Sequence, residues 1–343
     1  MDALSDVLRE VRLAGAVFFD VSASEPWVAD VPPGEAIVVR IFPGAKHLIS
    51  YHLVTQGACW GGLVGEPSMR LSAGDVVVFP HGDAHVLASA PGIRLTPDIA
   101  RDRPSSAGQL PFAVSMGHGH STLAHTVCGF LGCDARPSNP LLAALPKMIR
   151  VCDRAGALGT FAQFALTESK APRIGGACVL GRLSELMFVD VVRRYLETLP
   201  NDRTGWLAGL HDPFIGRALA ALHRSPAHDW TLESLAREVG LSRSVLAERF
   251  TQFVGQPAMQ YLTTLRMRLA ANHLLNGMDS VATIAERVGY ESEAAFSRAF
   301  KKAIGTPPGR WRKHGKGQRQ EYPRSNQAAR PSAASQILFD RAV

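Results

Sequence analysis

Cysteine is scarce: the 343-residue chain has five, Cys59, Cys128, Cys133, Cys152 and Cys178, and no two stand in a CxxC spacing. A small, odd set without that spacing argues against a disulfide scaffold and a structural zinc finger, and fits free thiols in a reducing compartment. Long apolar runs are missing too. No uninterrupted stretch reaches the roughly 18 residues of a membrane span, and the opening MDALSDVLREVRLAG has no apolar core of a secretory signal. The expected location is the cytoplasm, with no membrane partner. With 46% hydrophobic and 20% charged residues, wholesale disorder and collagen-like sequence are excluded, and the length calls for two or three domains.

The net charge of +7 is unevenly placed. From His211 to Val343 there are 19 Lys and Arg against 11 Asp and Glu, so residues 1–210 carry a slight negative balance. A basic C-terminal part fits a polyanionic partner. Short β-branched runs dominate the first third: AIVVRIF at 36–42, LISYHLVT at 48–55, DVVVFP at 75–80, HVLAS at 85–89 and TVCGFL at 126–131. Punctuated by Gly and Pro, they predict an antiparallel sandwich or barrel. Residues 96–121 predict a long surface loop. After DARPSNP at 134–140 the spacing turns helical in LLAALPKMIRV, GTFAQFALTES and CVLGRLSELMFVDVVRRYLETL. In the last of these Leu183, Leu186, Met187, Val191 and Leu196 share one apolar face, which needs either the protein core or a second copy.

The C-terminal part contains one unit twice. TLESLAREVGLSRSVLAERFTQFVGQPA at 231–258 and SVATIAERVGYESEAAFSRAFKKAIGTPP at 280–308 match in their apolar positions, with Gly240 answering Gly289 and Phe250 answering Phe300. Each starts at a capping residue, runs a short amphipathic helix to a glycine, turns, and begins a second capped helix at Ser242 or Ser292. Helix, glycine turn and capped helix together make a helix-turn-helix, whose second helix enters the major groove of DNA. In the first unit Val245, Leu246 and Phe250 are expected in the core, leaving Arg243, Ser244, Ala247, Glu248 and Arg249 outward. In the second, Ala295, Phe296, Ala299 and Phe300 turn inward and Glu293, Ala294, Ser297, Arg298, Lys301 and Lys302 outward. Arg298 is the best-placed side chain for bidentate contact to guanine, with phosphate as its alternative. QPAMQYLTTLRMRLAANHLLNG predicts one long helix between the units, with Arg266 and Arg268 near phosphate.

LAREVGLSRSVLAERF and IAERVGYESEAAFSRAFKKAIGTPPGRWR closely resemble the DNA-binding domain of the AraC/XylS family of bacterial transcription regulators. In the second half the resemblance runs from Ile284 through Gly289, Tyr290, Phe296, Phe300, Lys301, Gly305 and Pro308 to Arg312. Glu248 departs from it, standing where family members often have a basic or polar DNA contact; an acid there can accept from cytosine N4.

GDVVVFPHGDAH, Gly74 to His85, matches the second motif of the cupin barrels, G-x5-P-x-G-x2-H. The preceding YHLVTQGACW resembles the end of the first cupin motif. Aligning Gly57 with that motif's last glycine puts its Glu ligand at Ser50 and its His ligands near Pro43 to Lys46, none of which is His or Glu. The usual metal centre is therefore incomplete. His52 shares a strand face with Ser50 and can approach His85; with Cys128 the pair makes either a metal or thiol site or ordinary pocket lining. GHGHSTLAHTVCGFLGC at 117–133 gathers His118, His120, His125, Cys128 and Cys133, in a spacing that matches no common zinc motif.

The N-terminal part also resembles the cupin-type sensor of a subgroup of AraC/XylS regulators, some of which sense oxidants through a cysteine in a VCG setting like that of Cys128. The resemblance implies reversible oxidation of Cys128, with Cys133 as a partner, or more generally binding of a small molecule. The expected protein is multidomain α and β: an N-terminal cupin-like β-barrel sensor (1–140), a helical, dimerising connection (141–210), an all-α domain with two helix-turn-helix units (211–314) and a basic, disordered tail (315–343). The expected function is sequence-specific transcription regulation. Double-stranded DNA, a small-molecule or oxidant effector and a second copy are its expected partners, RNA polymerase a candidate one. No catalytic residue is expected, nor any cofactor unless His52 and His85 hold a metal; the rival is a metal-dependent cupin enzyme with a DNA-binding appendage.

Overall fold

The computed structural model describes residues 4, 5, 8, 13–42, 45, 47–93, 112–119, 122–133, 140–153, 156–170, 173–199 and 205–313. His120, the segment at 134–139, most of the predicted loop and the tail beyond 313 lie outside them. Contacts divide the chain into two compact units, one including Val11–Ala135 and Leu145–Thr198, the other including Arg136–Ala144 and Leu199–Asn326.

The first unit contains β1 (Leu13–Ala23), β2 (Val28–Val31), α1 (Gly34–Ile41), β3 (His47–Leu63), β4 (Met69–Ser72), β5 (Asp75–Phe79), β6 (His85–Ala88), β7 (Phe112–Met116) and β8 (Ala124–Cys133). Beyond α2 (Pro140–Ala144), which belongs to the second unit, it continues with β9 (Ile149–Cys152), α3 (Ala157–Lys170) and α4 (Gly176–Glu197). The strands form one curled sheet in the order β2-β6-β3-β8-β1-β7, with β4 and β5 also paired to β3 and β9 to β5. Strand β3 makes the curl: Ser50 to Leu53 pair with β5, whereas Ala58 to Leu63 pair with β4 and β6. At the bend Gly57 has φ 72°, and a Cβ there would lie 1.8 Å from the carbonyl oxygen of Leu123. Only glycine fits.

Two expected elements change type. Residues 36–42 were expected as a strand, but 34–41 form α1. The adjacent pair Ile37 and Val38 is buried while Val39 is 68% exposed, a helical rather than alternating pattern, and the Gly34 N–H donates to the Gly82 carbonyl at 2.7 Å. Conversely, the end of LLAALPKMIRV forms β9, where buried Ile149 and Val151 alternate with exposed Arg150 and Cys152. Arg150 grips Asp75 with two hydrogen bonds of 3.2 and 2.9 Å, fastening β9 to β5.

Residues 145–198 also do not stand apart as a connection. Leu158 of α3 and Met187, Phe188 and Val191 of α4 cover Tyr51, Leu53, Val76, Val78 and Leu131 of the sheet. Arg194 on α4 pairs with Asp153, which caps α3 by accepting from the Gly159 N–H at 2.8 Å. The predicted apolar face of α4 is thus largely spent inside this unit, although Leu186 stays 45% exposed. With one face under helices and the other turned inward, all five residues of β5 are buried.

The second unit is helical: α2, α5 (Trp206–His211), α6 (Ile215–Arg224), α7 (Leu232–Val239), α8 (Arg243–Val254), α9 (Ala258–Asn276), α10 (Val281–Arg287) and α11 (Glu293–Ile304). Helix α9 has 19 residues, about 28 Å at 1.5 Å per residue. Its first half supplies Tyr261, packed edge-on to Phe250 of α8 at 5.8 Å. Its second half supplies Met267, Ala270, Ala271 and Leu274 to the core formed with Ile284, Ala285, Val288, Phe296 and Phe300. One helix therefore carries both repeats.

Candidate functional site

Local chemistry sets the two helix pairs. Thr231 caps α7 in a reciprocal box with Ser234, Gly240 ends α7 at φ 76°, and the Ser242 side chain caps α8. In the second pair Ser280 caps α10, Gly289 takes φ 79° in the turn, and Ser292 caps α11. Gly289 is also a close approach, since a Cβ there would lie 2.6 Å from the Ala227 carbonyl oxygen.

On α8, Leu246 and Phe250 are buried and Arg243, Ser244 and Glu248 exposed. Val245, expected inside, is 41% exposed, because the buried stripe follows positions 246 and 250. Arg249 was expected to face outward, but its guanidinium pairs with Asp212 and lies 5.4 Å from the centre of the Phe214 ring. Asp212 in turn accepts from the Phe214 and Ile215 N–H groups. Burial alone would raise its pKa, but those hydrogen bonds and Arg249 hold it below the usual carboxylate range. Arg249 therefore docks α8 onto the start of α6.

On α11, Phe296 and Phe300 are fully buried, Ala295, Ser297 and Ala299 half-buried, and Glu293, Ala294, Arg298, Lys301 and Lys302 exposed. Arg266 and Arg268 are not placed as phosphate contacts. Arg266 donates to the carbonyls of Pro226 and His228, each at 2.8 Å, and lies over the Tyr290 ring. Arg268 is only 7% exposed. Both are needed inside the unit, Arg266 as a brace between the segment before α7 and the turn of the second pair.

In the barrel, strand pairing brings His52 of β3 opposite Cys128 of β8, and the Pro80–Gly82 corner returns the chain so that His85 begins β6. The two rings meet at 2.8 Å, Nε2 to Nε2, and His85 stacks on Phe79 with ring centres 3.7 Å apart. Burial holds both imidazoles neutral, with His85 lowered to about 4 and His52 well below its ordinary value, the neighbouring ring adding to the effect on His52. Among the described residues no group of three or more His, Cys, Asp or Glu side chains is placed to hold a metal ion. Two histidines bonded to each other fall short of the three protein ligands of a catalytic zinc site. His125 is engaged elsewhere, with Asp20 at 3.0 Å and Thr55 at 3.1 Å.

His52, Thr126 and Cys128 line a largely apolar cavity of about 640 Å³, counting its mouth, together with Phe19, Trp27 and Phe130. Trp27 carried no signal in the sequence; β2 and the turn before it bring it here. Burial pushes the Cys128 thiol up to about 12, against the hydrogen bond with Thr126 at 3.3 Å that lowers it. Cys133 is fully buried, five residues further along β8 and on the opposite face. At about 3.3 Å per residue the two Cα atoms are roughly 16 Å apart, far beyond the ~7 Å limit for a disulfide. The expected partnership of Cys128 with Cys133 is thereby excluded while β8 stays paired.

Residues 2–197 match the model of a family described as Cupin, and residues 235–314 that of a helix-turn-helix domain. A putative AraC-like transcription regulator of Streptomyces lividans is 33% identical, over 92% of this chain and 99% of its own. The HTH-type transcriptional regulator AlkR of Acinetobacter baylyi is 28% identical, over 91% and 99%. Among solved structures, the DNA-binding domain of AdpA in complex with a target DNA is 27% identical over 32% of this chain and 99% of that one, with a TM-score of 0.31. The barrel with its cavity, the repeated helix pairs, the two family models and the Streptomyces lividans regulator agree: the chain belongs to the cupin-containing AraC-like DNA-binding transcription regulators.

Proposed function

We propose that α8 and α11 read two successive major-groove segments on one face of a duplex, and that a small molecule in the barrel cavity sets how well they do so. The observation that carries this is the pair of capped helices on the single helix α9, each with an exposed polar face: Arg243, Ser244 and Glu248 on α8, Arg298, Lys301 and Lys302 on α11. Successive grooves on one side of DNA lie about 34 Å apart, close to what a rigid helix of α9's length spans with its flanking units. Effector binding would shift the population of DNA-competent conformations. A small molecule fits the cavity better than an oxidant does, because thiol oxidation proceeds through the thiolate and Cys128 holds its proton at neutral pH.

The test is a footprint on DNA upstream of the gene and its neighbours, at fixed salt, with Arg298→Ala beside the parent protein. Two protected segments about one helical turn apart are expected. Arg298→Ala should lose about 1–3 kcal/mol of binding and relax preference at one base pair. An equal loss on every sequence, with a shallower salt dependence, would reassign Arg298 to phosphate.

The protein would act as a homodimer. Support comes from Val179 and Leu186, seven residues apart on one side of α4 and 37% and 45% exposed, with Phe164 of α3 at 48%. Leu186→Arg should shift the mass in light scattering at micromolar concentration from two chains to one. A parent protein that is already monomeric would remove this interface.

A further inference from the structure

The repeat sets one residue of each unit at the same point of its second helix, and the two residues carry opposite charge. With Phe250 answering Phe300, Glu248 of α8 answers Arg298 of α11. A helix turns about 100° per residue, so Glu248 stands about 160° from both Leu246 and Phe250, and Arg298 stands likewise from Phe296 and Phe300. Those four are fully buried, whereas Glu248 and Arg298 are exposed, each opposite the core of its own unit. The flanks differ in the same sense. Lys301 and Lys302 of α11 are answered by Thr251 and Gln252 of α8, and the Thr251 hydroxyl donates back to its own helix, to the Ala247 carbonyl at 2.8 Å. Arg249 is held by Asp212, which leaves Arg243 as the exposed cation of α8, balanced by Glu248. On α11, Arg298, Lys301 and Lys302 outweigh Glu293. One reading face is neutral with an acid at its centre, and the other is basic with an arginine there.

Resting on the reading of α8 and α11 as groove readers, we infer that Glu248 is a specificity-determining residue that selects cytosine, and that the two repeats divide their roles: α11 supplies attraction to the DNA backbone, α8 supplies discrimination. A carboxylate carried between two phosphate backbones is repelled throughout and relieved only where a base offers a hydrogen. In the major groove two bases do. Cytosine presents its N4 amino donor, whereas the N6 amino group of adenine stands beside N7, an acceptor that repels a carboxylate. Guanine presents two acceptors, and thymine an acceptor and a methyl group. Glu248 therefore favours one base by penalising the other three, which is specificity through repulsion. Arg298 acts in the opposite way, since guanine and phosphate both attract it.

Selection from a pool of random duplexes tests this, with the full chain and its single variants at one fixed salt concentration. The parent protein should enrich a C·G pair about 10 base pairs from the pair that Arg298→Ala relaxes, because successive grooves on one face lie a helical turn apart, and should prefer it about tenfold over the other pairs. Glu248→Gln should turn that preference to A·T, since glutamine pairs with adenine N6 and N7, and should bind the unselected pool more tightly because a repelling charge is gone. Lys301→Ala should leave the enriched sequence as it is, weaken binding to every duplex alike and reduce the slope of log affinity against log salt by about 1. An unchanged enriched sequence in Glu248→Gln would overturn the base contact, whether or not binding tightens. A switch to A·T within the half that Arg298→Ala relaxes would overturn the division between the repeats. No enrichment by the parent protein would overturn the inference and the reading of α8 and α11 together.

Discussion

Replacing Phe296 by alanine should destabilise the second helix-turn-helix by about 3–5 kcal/mol, the usual cost of emptying a fully buried phenylalanine site, and erase its half of the DNA footprint. Phe296 is 0% exposed. It packs edge-on to Tyr290 at 5.7 Å and tilted against Phe300 at 5.5 Å, and Phe300 in turn meets Trp311 at 6.4 Å. The surrounding core is small, drawing on one half of α9 and on α10 and α11, so little can collapse into the cavity. Set against the 5–15 kcal/mol that holds a typical domain together, a loss of that size leaves α11 open for much of the time. Amide exchange gives the cleanest measurement, because a multi-unit chain has no single unfolding free energy. Protection should fall across 293–304 and stay near its parent level across 243–254, where Leu246 and Phe250 have a core of their own. Phe250→Ala should do the reverse and remove the other half of the footprint. Unchanged protection of 293–304 in Phe296→Ala would show that α11 does not depend on this core.

The repeat was legible because its determinants are local. Capping hydroxyls at 231, 242, 280 and 292 and left-handed glycines at 240 and 289 act within a few residues of themselves, so their meaning survives without knowledge of the fold. The strands around DVVVFP and TVCGFL could be read for a similar reason, as β-branched runs between turn residues. Residues 36–42 and 149–152 were not. A short apolar run is compatible with strand and helix alike, and the choice fell to contacts with Gly82 and Asp75 from distant chain. The same limit explains the arginines. Position on a helix can show that Arg249 and Arg266 face away from the nearest apolar stripe, but not that Asp212 waits 37 residues earlier for the one, or that the carbonyls of Pro226 and His228 claim the other. In the barrel, the cupin motif pointed to His85 and strand periodicity to His52. The hydrogen bond between them, and the place of Trp27 in the cavity wall, exist only once the sheet has curled.

Acid should loosen the barrel well before its carboxylates protonate. His85 titrates near 4 in the folded protein, held down chiefly by burial, against 6.5 in an open chain, and His52 is lowered in the same direction. Above pH 6.5 both states leave these rings neutral, and pH has no leverage through them. Between 6.5 and about 4 the unfolded chain binds protons that the folded barrel refuses, so stability falls as pH falls, by about 1.4 kcal/mol per pH unit for each such histidine. From pH 7.5 to 5.0 His85 alone should therefore remove about 2 kcal/mol. Physically, His85 Nδ1 donates to the Asp83 carbonyl, so its Nε2 is the acceptor of the Nε2 to Nε2 hydrogen bond; a proton there breaks that bond and puts a charge beside Phe79 and Cys128, whose thiol is itself protonated and offers no counterion. The helical unit carries a parallel device in His223, lowered to about 3 by burial and by Arg268 and hydrogen-bonded to Tyr261 at 2.7 Å, so the two must be separated. Amide exchange at pH 7.5 and 5.0, corrected for intrinsic rates, does this by reporting β3, β5 and β6 apart from α6 and α9. The barrel strands should lose protection in the parent protein and in His223→Gln, and α6 should keep its protection only in the latter. Barrel protection that stays level down to pH 5.0 would mean that the His52–His85 pair accepts a proton without opening the sheet.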